Sequence, residues 1–124
     1  MRRKVADHIN TPVEALALLA SDESYSIRGA VAARRKTPNQ ILIKLAKDKN
    51  EDVRWQVARN LSAPVNALLT LSKDKDGWVR TGVVQNKNTP VEILRQLAKD
   101  SSRLIRDMAE RALDARKYLN TTED

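Results

Sequence analysis

The sequence predicts an all-α, two-layer solenoid of about four and a half helical hairpins, each 26 residues long. Three observations carry that expectation. Pro12, Pro38, Pro64 and Pro90 recur at one spacing, and so do Asp22, Asp48, Asp74 and Asp100; a fixed period of this size marks a stacked-repeat architecture. Apolar columns keep the same register, through Leu16, Leu42, Leu68 and Leu94, through Leu19, Leu45, Leu71 and Leu97, and through Ile27, Val53, Val79 and Ile105. Arg28, Arg54, Arg80 and Arg106 repeat alongside them.

The chain opens on half a unit, residues 1–10, in which Arg2, Val5 and Ala6 stand one period before Arg28, Val31 and Ala32. Full units follow at 11–36, 37–62, 63–88 and 89–119, giving a single repeat domain over 1–119, and 120–124 reads as a flexible tail. Each unit begins at a Thr-Pro step, with Ala63-Pro64 as the exception. Threonine can cap orphan amides and proline suits the first turn. Helices are therefore expected near 12–20, 38–47, 64–72 and 90–99, with Glu14, Gln40 and Glu92 completing capping boxes. The third unit has Ala63 and Asn66 instead, and its helix should fray most at the start. Second helices are announced by the N-cap residues Ser24, Asn50, Asp76 and Ser102. The first three should stop near Arg35, Leu61 and Asn86, before the next proline, whereas the last runs on through Leu119 and suits a terminal cap.

Projected at about 100° per residue, the second helices separate into two sides. The columns of Ile27, Val31 and Arg28 keep their residue type from unit to unit, as stacking demands. The columns of Ser26/Asp52/Trp78/Leu104, Gly29/Trp55/Thr81/Asp107, Ala30/Gln56/Gly82/Met108 and Ala33/Arg59/Gln85/Arg111 vary, and are free for other use. Every arginine of the constant column follows an aspartate by six positions. Guanidinium–carboxylate forks are directional and bidentate, so the two columns are expected to form an alternating ladder along the stack. Four unmatched cations in register would repel.

The run Asp52-Val53-Arg54-Trp55-Gln56-Val57-Ala58-Arg59-Asn60, followed by Ala63-Pro64, Leu68, Leu71 and Asp74, resembles the leucine-rich repeat variant family. The resemblance extends from Arg2 to about Leu113. It implies a right-handed superhelix related to HEAT and armadillo arrays, with one layer short and partly 3₁₀. Arg34, His8 and Ala112 occupy the column of Asn60 and Asn86, so those turns are expected to be built differently. Some relatives carry a cysteine-ligated cluster module, which a cysteine-free chain cannot hold.

Composition narrows the function. One histidine, no cysteine and no Gly-rich phosphate loop leave catalysis without residues, and no catalytic, cofactor or metal position is nominated. His8 falls in a turn column and reads as a capping or solvent residue. No apolar run approaches a membrane span, and the absence of cysteine fits the reducing cytoplasm. The formal charge of +7 favours polyanions non-specifically. The expectation is a non-catalytic scaffold that binds a protein or peptide on the variable face of the second helices. Trp55 and Trp78 would be its anchors, with Gln56, Arg59, Thr81 and Gln85 as a polar rim. The competing structural reading folds each indole over the next helix, covering Gly82. The alternative function is a nucleic-acid-binding solenoid whose basic edge, Arg34, Arg35, Lys36, Arg59 and Lys87, contacts phosphates.

Overall fold

Proline has no N–H to leave unpaired, and in the computed structural model each proline is the N-cap of a seven-residue helix. The structure describes residues 12–122, with side chains as far as Lys117. The short helices are α1 (Val13–Leu19), α3 (Asn39–Leu45), α5 (Val65–Leu71) and α7 (Val91–Leu97). They alternate with α2 (Tyr25–Ala33), α4 (Glu51–Arg59), α6 (Gly77–Gln85) and α8 (Arg103–Thr122). The half-unit 1–10, with Arg2 and His8, lies outside the described residues, as do Thr11 and the last two of the tail. The terminal helix, expected to end at Leu119, continues to Thr122.

The second helices begin where expected, and their caps are built from the nominated residues. Asn50 accepts from the amides of Asp52 (2.8 Å) and Val53 (3.4 Å), Asp76 from Trp78 (2.9 Å) and Ser102 from Ile105 (3.4 Å). Ser24 occupies the same position without a side-chain cap bond. Among the described residues, the expected capping boxes of Thr37 with Gln40 and Thr89 with Glu92 do not form, and the Thr11 box lies outside them. None of the four has a side-chain cap, and the buried hydroxyls of Thr37 and Thr89 donate instead to the carbonyls of Val31 and Val83, both at 2.7 Å. With proline at the N-cap, threonine lies one residue too early to reach the free amides. The carbonyls of Val31 and Val83 in the last turn of the previous helix, each of which also accepts the C-cap amide, are the nearer partners. Ala63 has no such hydroxyl, yet α5 keeps the same seven residues, because the cap it was expected to lack is absent from its neighbours too.

The core is a strip between the layers. Leu16, Leu42, Leu68 and Leu94 are no more than 2% exposed, and Leu45, Leu71, Leu97, Ile27, Val53, Val79 and Ile105 are buried with them; Leu19 is partly covered. Each such side chain contributes roughly 1.5–3 kcal/mol. Consecutive second helices pack on one another, α2 on α4, α4 on α6 and α6 on α8, while α3 and α5 pack on the second helices on both sides of them, α1 on α2 and α7 on α8.

The expected ladder is present, and its rungs join neighbouring units. Arg28 Nε donates to Asp48, Arg54 Nε to Asp74 and Arg80 Nε to Asp100, each at 2.8 Å, and in each case an Nη2 reaches the second carboxylate oxygen at 3.2–3.4 Å. Nη1 meanwhile donates to the backbone carbonyl six residues back, on Asp22, Asp48, Asp74 and, for Arg106, Asp100, at 2.7–2.8 Å. Each aspartate also accepts the amide two residues on, which fixes its own loop. One arginine thus clamps its own unit through the backbone and the next through a fork.

A second ladder runs along the opposite edge, through the turns between hairpins. Asn60 Nδ2 donates to the carbonyls of Ala32 and Arg34, both at 2.8 Å. Asn86 Nδ2 repeats this one unit later on Ala58 (2.8 Å) and Asn60 (2.9 Å). Where Ala112 replaces the next asparagine, Arg116, one turn further along α8, donates to the carbonyls of Thr89, Asn86 and Lys87. The turn that departs from the pattern is closed by a guanidinium instead of an amide.

Candidate partner-binding groove

The outward sides of α2 and α4 differ in bulk, and that difference makes a trench. On α2 the facing residues are Ser26, Gly29, Ala30 and Ala33; on α4 they are Asp52, Trp55, Gln56 and Arg59. The trench encloses about 390 Å³ between Tyr25 and Trp78 at the helix N-termini and Ala33 and Gln56 further along. It adjoins a second hollow of about 220 Å³ at the C-terminal end, lined by Arg35, Arg59, Asn60 and Leu61.

Both tryptophans stand at this groove, in different roles. Trp78 is 54% exposed, whereas Trp55 is half-buried. Their rings stack with centroids 5.2 Å apart and planes 15° from parallel, and the Arg59 guanidinium lies 4.8 Å from the Trp55 centroid. Such offset aromatic pairs and guanidinium–indole contacts are favourable geometries. Trp55 also folds over the next unit. A Cβ placed on Gly82 would sit 3.1 Å from its ring and 2.9 Å from Ala58 Cβ, and Trp55 Nε1 is buried there without a hydrogen-bond partner. Trp55 is therefore packing that fixes the platform, as the structural reading expects, and Trp78 is the ring left to solvent.

The glycines on this face make that asymmetry measurable. Gly29 has only ordinary contacts near 4 Å where a Cβ would go, whereas Gly82 has none to spare. Gly29→Ala is expected to stabilise the chain by about 0.5–1 kcal/mol, and Gly82→Ala to destabilise it by about 1–3 kcal/mol through overpacking. Paired urea titrations check the opposite signs; two shifts of the same sign would contradict the packing described.

The structure brings Gln56 and Arg59 to the groove with the tryptophans. Thr81 is not on the rim. It is 7% exposed and its hydroxyl donates to the Trp78 carbonyl at 2.6 Å, within the first turn of α6. Gln85 is exposed at the end of α6, away from both hollows. Of the basic residues, Arg35 lines the C-terminal hollow beside Arg59, while Lys36 and Lys87 are exposed on their turns and Arg34 is half-buried. The turns 34–38, 60–64 and 86–90 that share this edge hold no carboxylate. The opposite wall, with Tyr25, Gly29 and Ala33, was missed in the sequence. The available signal was that the first full unit has only small residues in the four variable columns, next to a unit with a tryptophan.

Residues 77–102, one full period from the start of α6 through the loop after α7, match the family model described as leucine rich repeat variant. The match falls on a different unit from the run that carried the sequence resemblance. No curated protein and no solved structure matches the chain.

Proposed function

We propose that this stack of leucine-rich-repeat-variant-like hairpins is a non-catalytic binding scaffold, and that the α2–α4 groove, ended by Trp78, holds a segment of a protein partner. The supporting observation is the pairing of an exposed indole with a trench of small residues beside it. A large, rigid, solvent-facing ring next to an open hollow is the kind of feature that anchors interfaces, and repeat arrays generally present extended recognition surfaces. No helix among the described residues is long and apolar enough to cross a membrane, and a cysteine-free chain suits the cytoplasm, where we place it. The nucleic-acid reading draws on the carboxylate-free turn edge around Arg35 and Arg59. It is the less favoured of the two, because Asp52 at the other end of the same groove would repel a phosphate backbone.

The test uses Trp78→Ala, which removes an exposed ring and leaves Trp55 in its packed place. Peptides selected from a random display library on the wild-type protein are expected to bind the variant at least about tenfold more weakly, with helical circular dichroism unchanged. Failure to select any peptide, or equal binding by the variant, would remove this reading.

A further inference from the structure

The groove is not uniform along its length. Asp52 stands at the N-terminal end of α4 and Trp78 at that of α6, Trp55 lies one turn on along α4, and Arg59 with Arg35 stands at the C-terminal end. Charge and aromatic surface therefore occur in a fixed order along one helix axis. Resting on the peptide-binding reading above, we propose that the groove selects an extended, acidic segment. In it an aromatic or large apolar side chain lies two residues from an Asp or Glu. The apolar side chain packs against Trp78 and Tyr25, and the carboxylate is held between Arg35 and Arg59.

The spacing follows from the geometry of the two chains. The Arg59 guanidinium lies 4.8 Å from the Trp55 centroid and the Trp78 ring 5.2 Å from it, so cation and stacked rings adjoin within the groove. An extended peptide advances roughly 3.3 Å per residue, and its side chains at i and i+2 share a face. Because the cation and the stacked rings adjoin, the nearest pair of side chains on one face of such a peptide, two residues apart, is the pair that meets both. Spacings of one or three residues would turn one of the two side chains away from the groove. The sign follows from the electrostatics. Two arginines border the C-terminal hollow, and no carboxylate lies in the neighbouring turns. The carbonyl ends of α2 and α4 carry partial negative charge there, about half an elementary charge per helix, which two full cations outweigh. Guanidinium groups favour carboxylates through paired N–H donors. Asp52 sets the other limit, since it opposes a second anion at the aromatic end and so disfavours a continuous polyanion along the whole trench.

The experiment is a display selection followed by titration of labelled synthetic peptides from the consensus, on the full chain. The expected consensus is an aromatic residue with Asp or Glu two positions away. Arg35→Glu/Arg59→Glu is expected to weaken such a peptide by at least roughly tenfold and to accept the same peptide with Lys in place of the acid. Because Arg59 lies on the Trp55 ring, Arg35→Glu alone, at an exposed turn residue, is measured as well and should show a loss of the same direction. Peptides that need Trp78 but carry no acidic position, or that ignore both arginine substitutions, would overturn this proposal and leave the peptide-binding reading intact. Recovery of no peptide at all overturns both. A thymidine 20-mer that displaces the peptides and binds more tightly than they do, with its affinity lost in the Arg35→Glu/Arg59→Glu variant, would reassign the hollow to phosphodiesters.

Discussion

Arg54→Ala is expected to lose about 3–5 kcal/mol of stability. The side chains of Arg54 and Asp74 are both more than nine-tenths buried. Removing the arginine leaves the Asp74 carboxylate buried with only the Asp76 amide as partner, and frees the Asp48 carbonyl that Nη1 had held at 2.7 Å. A domain of ordinary size has a total stability of roughly 5–15 kcal/mol, so a third or more is at stake. Arg54→Lys should recover little, because a point charge cannot span the fork and the carbonyl together. In Arg54→Leu/Asp74→Leu the buried charges disappear together, and the double variant should be more stable than Arg54→Leu alone. It should not regain the wild-type value, since the loop amide of Asp76 loses its acceptor. Urea unfolding with an unchanged m-value reads this directly. A loss below about 1 kcal/mol for Arg54→Ala would mean the rung behaves as a surface pair.

For Leu68→Ala the expected loss is about 2–5 kcal/mol, while Leu69→Ala next to it on α5 should change stability by no more than about 1 kcal/mol. Leu68 is 1% exposed, Leu69 39%. They differ only in which side of one short helix they occupy, so the pair isolates burial from helix propensity. Leu68 lies mid-strip, with layers of the stack on both sides, and collapse around the cavity is resisted from two directions. Comparable losses for both leucines would show that α5 is not seated on the strip as described.

The extent to which these features were legible follows from how each is encoded. Leu16, Leu42, Leu68 and Leu94 could be assigned to the core from one chain, because a residue that must meet its own copy in the next unit is held constant by stacking. Arg28, Arg54 and Arg80 were legible as ladder members for the same reason, although their side-chain partners lie twenty residues ahead and the six-residue spacing reports the backbone contact. Thr37 and Thr89 misled, since a Thr-Pro step at a helix start has the residues of a cap, and only three dimensions show a nearer carbonyl. Thr81 misled similarly. Its column varies, but a short hydroxyl beneath Trp78 is held by its own helix.

Periodicity alone determined the hairpin, its length, its two layers, the strip between them and the pairing of arginine with aspartate. These are nearest-neighbour requirements, repeated at every step, and a single chain therefore writes them several times over. The tertiary structure alone decided that Trp55 lies down on Gly82 while Trp78 stays in solvent, and that Arg35 and Arg59 meet at one end of a trench ending in Asp52 at the other. Those contacts occur once, between unlike units. With no second copy to compare, only the relative placement of α2, α4 and α6 could fix them.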